Sequence, residues 1–305
     1  MHDEKPSTPN DALRAWFLGP RAENAELVER LVTEALRDHI FWRRNYRPED
    51  GFTIRELDKR TEGYDAAVAT LTQELMGLLA ELKRGVPFFS GRYKGHMNFE
   101  QTIASQIGYF AAMLYNPNNV AIEGSPVTTR LELEVAADLA RMIGYDPGAS
   151  WGHLTSGGTV ANFEAIWVAR NVKYLPVAVR WAAESLGIDA FDVPLADGSR
   201  GDLMRLPLWE LLNLPNAAAL DLPGVLRERA ADPALVGTLI SDHSLARLGY
   251  QEFGLRLASQ FGDALPSGVV LVSSTGHYSW EKICRSLGIG GAHLVHIPVD
   301  ERFRM

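Results

Sequence analysis

Cysteine is almost missing from this chain: Cys284 stands alone among 305 residues. No internal disulfide can form, and a single thiol of a residue type usually buried points to inert packing, with no zinc or redox site. Long apolar runs are absent too. Nowhere do about 18 consecutive apolar residues occur, and the opening Met-His-Asp-Glu-Lys-Pro-Ser-Thr-Pro-Asn has no apolar core of a signal peptide. Membrane spanning and secretion are therefore not expected, and a cytoplasmic location is. Basic clusters are lacking: 30 Lys and Arg face 38 Asp and Glu, for a net charge of −8 and a pI near 5.5. That balance argues against nucleic acid or an anionic membrane as partner. Three signatures are also missing, namely the lysine that follows the glycines of a P-loop, the third glycine of a dinucleotide loop, and the Gly-x-Ser-x-Gly of a nucleophile elbow.

What is present is enough apolar residue, 46%, for one large or two ordinary domains. The organising stretch is Trp151-Gly-His-Leu-Thr-Ser-Gly-Gly-Thr-Val-Ala-Asn162. An apolar entry at 151–155, two glycines, then Val160, Phe163 and Trp167 at helical spacing predict strand, tight turn and helix. The first N–H groups of a helix have no partner within it, and the peptide dipoles leave about half a positive charge there. Gly157 and Gly158 lack the Cβ atoms that would block a ligand, and Ser156 and Thr159 add hydroxyl donors, so a phosphate fits this turn. A capped helix after a glycine turn is the plainer alternative.

Upstream, apolar spacing predicts a helix over 23–45 with Leu27, Leu31, Ala35 and His39 on one stripe, and a second over 64–83 burying Val68, Leu71, Leu75, Leu78, Leu79 and Leu82. Residues 1–120 thus read as a helical arm, and 121–305 as the body. The loop 88–99 precedes a helix near 100–114; its His96 and Asn98 are candidates to line a pocket, with Asn98 equally suited to cap that helix. Ser125-Pro126 opens another helix, ending near Gly144. After the Gly-Gly helix, which continues to about 186, residues 187–206 are rich in Asp, Gly and Pro and read as a surface insertion. Two β-branched runs, 267–273 and 292–297, flank a helix over 279–287. That pattern predicts a parallel βαβ unit and an α/β fold. His277 follows the first of these strands, where open α/β sheets bind ligands, although a hydrogen-bonded loop histidine is the plainer reading.

Together, Thr155-Ser-Gly-Gly-Thr-Val-Ala-Asn162, His277-Tyr-Ser-Trp-Glu-Lys282, Leu287-Gly-Ile-Gly290 and Ile297-Pro-Val-Asp300 resemble the group II pyridoxal-phosphate decarboxylases. Gly95-His-Met-Asn98, Trp151-Gly-His153 and Trp209-Glu-Leu-Leu-Asn-Leu-Pro215 bring the likeness closest to the bacterial tyrosine decarboxylases. The resemblance implies pyridoxal 5′-phosphate as cofactor, held by Ser156, Gly157, Gly158, Thr159 and Ser279. It implies that His277 stacks on the cofactor ring and is the catalytic residue of the chain, and that His96 and Asn98 lie on the substrate side. The implied reaction is decarboxylation of an amino acid, tyrosine in the closest case, by a homodimer with the type I transferase-like fold, a mostly parallel sheet with helices on both faces. The lysine that binds the cofactor covalently and the aspartate that pairs with the pyridine nitrogen have no counterpart here. The chain is therefore expected to be the N-terminal portion of a longer enzyme and a poor catalyst by itself. A non-catalytic cofactor-binding or partner subunit is the alternative, and a hydrolase built on Asp242-His243-Ser244, or on His277 with Ser279, is a remote third.

Overall fold

The structure is a computed structural model that describes residues 9–95, 97, 100–262 and 268–305. It comprises two compact units, Met1–His153 and Leu154–Met305.

The first unit is helical. It contains α1 (Pro9–Arg14), α2 (Ala25–Tyr46), α3 (Glu62–Leu82), α4 (Ile103–Tyr115) and α5 (Pro126–Met142). The predicted apolar stripe of α2 packs on α4, where buried His39 meets the Tyr115 ring edge-on at 4.7 Å. Thr102 caps α4 by accepting the Ser105 N–H, so the cap is Thr102 and not Asn98, the alternative that the sequence left open. Ser125 and Pro126 occupy the N-cap and first helical position of α5 as predicted, but without a capping side-chain bond. The expected burial along α3 is also not observed: Val68, Leu71, Leu75, Leu78, Leu79 and Leu82 are all exposed. Periodicity marks the face that requires a cover, and no described residue of this unit supplies one.

The second unit is α/β and mostly helical. It runs α6 (Gly158–Ser185), β1 (Asp192–Pro194), β2 (Arg200–Asp202), α7 (Leu208–Leu212), α8 (Asn216–Arg229), α9 (Pro233–Asp242), α10 (Leu245–Phe261, bent at Gly249), β3 (Val270–Ser273), α11 (Ser279–Ser286) and β4 (Leu294–Ile297). β3 and β4 pair in parallel, from Val270 opposite Leu294 to Ser273 opposite Ile297, with α11 as the crossover. The predicted βαβ unit is thus observed. Residues 151–155 form no strand, a correction with a simple cause: a strand exists by its ladder, and none of the described residues pairs with this segment.

Residues 187–206 are the larger correction. They are no surface insertion: β1 and β2 form an antiparallel hairpin that buries Phe191, Val193 and Leu203. Asp202 fixes its base, its carboxylate accepting the N–H groups of Phe191 (2.9 Å) and Met204 (3.1 Å). These side chains join Val177, Val179 and Trp181 of α6 with Leu211, Leu222, Leu226, Val236, Phe253 and Leu257 in the main core. A smaller core of Ile283, Cys284, Leu287 and Ile289 is covered by Phe163 and Ile166 of α6 together with Val270 and Leu294. Cys284 is fully buried, which raises its thiol pKa and leaves it inert packing. So α6 is anchored at one end in the large core and lies along the βαβ unit at the other.

Candidate functional site

The turn before α6 is organised around one carbonyl. Gly157 is extended (φ 160°, ψ 168°), and its C=O accepts the N–H groups of Val160 (3.0 Å) and Ala161 (3.1 Å) together with the hydroxyl of Thr155 (3.1 Å). The N–H groups of Gly158 and Thr159 find no acceptor among the described residues, as expected in a helix's first turn. A Cβ placed on either Gly157 or Gly158 would meet nothing within 4 Å, so the space over the turn is open. Ser156 and Thr159 are exposed beside it. Two N–H groups and two exposed hydroxyls thus stand together at the positive end of a 28-residue helix.

The second part is the loop after β3. Ser274 N–H donates to Ile297 C=O (2.8 Å) and Gly276 N–H to Ser273 C=O (2.8 Å), folding the chain back on its strand. The turn needs glycine, since a Cβ at Gly276 would lie 2.5 Å from a Val272 methyl and 3.0 Å from the Ser273 oxygen. His277 follows with its ring exposed, 4.1 Å from that of Tyr278. Ser279, the first residue of α11, is fully buried.

These two parts meet. Asn162, one turn into α6, donates its Nδ2–H to Ser279 Oγ (3.2 Å), and Ser279 reaches His277 Nδ1 with both Oγ (2.9 Å) and backbone N–H (3.2 Å). The imidazole is therefore two hydrogen bonds from Asn162, one turn past the start of α6. Farther along that helix, Arg170 donates to Leu287 C=O (3.0 Å) and lies over the Tyr250 ring at 5.6 Å, a second tie between α6 and the end of the crossover. Neither Asn162 nor Arg170 was assigned a role from sequence; Asn162, four residues past Gly158, stands on the helix end the motif already marked.

His96 and Asn98, the expected substrate-side residues, lie outside the described residues, while Met97 between them is exposed. Asp242, His243 and Ser244 do not converge as a triad. Ser244 caps α10 through the Arg247 N–H, and His243 Nδ1 faces Arg256 (3.4 Å). Arginine can only donate, so this imidazole has no acceptor face left for a nucleophile. A cavity of about 540 Å³ lies elsewhere, lined by Arg170, Lys173, Tyr174, Trp209 and Tyr250 among others and by none of the predicted site residues. Arg170 is about 18 Å along α6 from Gly158. Burial foremost, then the neighbouring Tyr250, pushes the Tyr174 phenol up to about 12. Among the described residues no group of His, Cys, Asp and Glu could hold a metal, and no helix is long and apolar enough to cross a membrane.

Three proteins named L-tyrosine decarboxylase are similar to this chain. That of Enterococcus faecalis (strain ATCC 700802 / V583) is 34% identical over 307 residues, covering 100% of this chain and 43% of the relative. The Levilactobacillus brevis protein is 35% identical over 96% of the chain, and the Enterococcus faecium protein 32% over 96%. The chain spans about two fifths of the length of these relatives, 41–43%. No protein-family model matches it. The likeness thus runs along the whole chain, and its relatives are carboxy-lyases.

Proposed function

We propose that the chain is the phosphate-holding part of a pyridoxal-phosphate-dependent tyrosine decarboxylase, working as a homodimer of a longer cytoplasmic protein with the type I transferase-like fold. The observation that supports this reading is the bridge from Asn162 through Ser279 to His277, which ties the histidine loop to the helix that opens at Gly157 and Gly158. The residues present fit the cofactor: the N–H groups of Gly158 and Thr159 with the hydroxyls of Ser156 and Thr159 take the phosphate, and the exposed imidazole takes the ring. Bound there, pyridoxal phosphate supplies an electron sink for the pair left behind when carbon dioxide departs from an amino acid. This chain's own part is placement. The N–H donors of Gly158 and Thr159 would hold the phosphate without reorganising, and the exposed imidazole of His277 would be the group that packs against the ring. His96 and Asn98 border the amino-acid side chain in this reading.

Pyridoxal phosphate binding to the 305-residue chain, followed by quenching of tryptophan fluorescence, tests the proposal. Saturable binding is expected, displaced by inorganic phosphate. Gly158→Val fills the open space over the turn and should weaken binding at least tenfold, about 1.4 kcal/mol, with unchanged circular dichroism. Binding that ignores both phosphate and the substitution would overturn the reading.

A further inference from the structure

The hydrogen bonds around Ser279 fix more than the position of His277. A backbone N–H can only donate, so the contact from Ser279 N–H to His277 Nδ1 (3.2 Å) requires a lone pair on that nitrogen. Ser279 Oγ has one hydrogen, and it accepts from the Asn162 amide at 3.2 Å, which leaves that hydrogen for the same Nδ1 at 2.9 Å. Both donors of one residue therefore converge on one imidazole nitrogen. Ser279 is fully buried, so water does not compete for its hydroxyl, and Asn162, half-buried on α6, sets the direction in which that hydroxyl points.

We infer that Ser279 and Asn162 are positioning residues which lock His277 in the tautomer carrying its proton on Nε2. The exposed ring then presents a neutral N–H donor outward, away from the buried serine. A donor of this kind can hold the carboxylate of an amino-acid substrate without carrying a charge itself, and it cannot act as a proton acceptor from that edge. The role toward substrate rests on the decarboxylase reading, whereas the tautomer does not, because it follows from contacts within the chain.

The test is long-range proton–nitrogen NMR of the chain labelled with ¹⁵N-histidine, without cofactor, at a pH where His277 is neutral, with His277→Asn identifying the resonance. The wild-type ring should show Nδ1 bare and Nε2 protonated. Ser279→Ala removes the hydroxyl and should shift the tautomer ratio toward Nδ1–H by roughly fivefold, the worth of one ordinary hydrogen bond. Ser279→Thr, which keeps a hydroxyl, should restore the wild-type ratio. Should the alanine variant not fold, Asn162→Ala gives a second route, since it removes only the outer link; a smaller shift in the same direction is expected. A wild-type ring protonated on Nδ1, or a ratio indifferent to both substitutions, overturns the assignment. Failure of pyridoxal phosphate to bind, with the tautomer as stated, would count against the proposed function and leave this inference standing.

Discussion

The two ends of α6 differ sharply. Past Pro176 the helix is enclosed, with Val177, Val179, Ala182 and Ala183 fully buried, whereas in its first turns Val160 and, farther on, Trp167 and Val168 remain 38–53% exposed. The buried end meets a hairpin and four helices, and the exposed end carries free N–H groups and the asparagine that reaches Ser279. One rod thus joins a buried half to an open one. The enclosed half fixes its direction, and the open half can be shaped by a ligand without disturbing the core.

The strongest blow to this division would fall on Phe253, which is fully buried and lies tilted 5.0 Å from the Trp181 ring. Phe253→Ala should cost about 3–5 kcal/mol in chemical denaturation, while phosphate binding at the turn persists wherever the protein stays folded. A loss below 1 kcal/mol would mean that the core does not hold this end. Tyr174 sharpens the boundary between the halves. Its phenol ionises near 12 in the folded chain against 10.0 ordinarily, so the stability it contributes is complete below pH 10 and is lost as pH rises through 12. In a spectrophotometric titration it should be the last tyrosine to ionise in the folded chain, and Tyr174→Phe should remove that late step. The smallest effect is expected at His243, whose ring faces Ser185 (3.2 Å) at the helix's far end. Burial first, then Arg256, lowers its pKa from 6.5. The unfolded chain consequently takes up the proton sooner on acidification, so this contribution is present above pH 6.5 and is lost as pH falls through the lowered value. His243→Gln should flatten that part of the stability profile, and an unchanged profile would show that the ring is not held at the helix end.

Elements whose evidence is local were legible in the sequence. The stripe of α2, the Ser-Pro start of α5 and the β-branched runs of β3 and β4 around α11 each carry their signal within one window. Features that depend on a distant partner were not. The stripe of α3 reads as buried although nothing described covers it, and 151–155 reads as a strand although nothing described pairs with it. The hairpin was hidden by its composition, yet two signals existed: alternation of Phe191 and Val193, and Asp197-Gly198, with Gly198 at φ 85°. At the candidate site the motifs gave the turn and the histidine loop. Their connection spans 117 residues between Asn162 and Ser279, a distance across which no local pattern reports.

Pro176 lies where the two halves of α6 join. Proline brings no N–H, so the helix is short of one rung there and can flex or fray at that point more cheaply than elsewhere. The two halves then need not open together. Amide hydrogens of 177–183 should exchange only with global unfolding of this unit, while those of 160–170 exchange by local opening, and ligand at the turn should slow the second group alone.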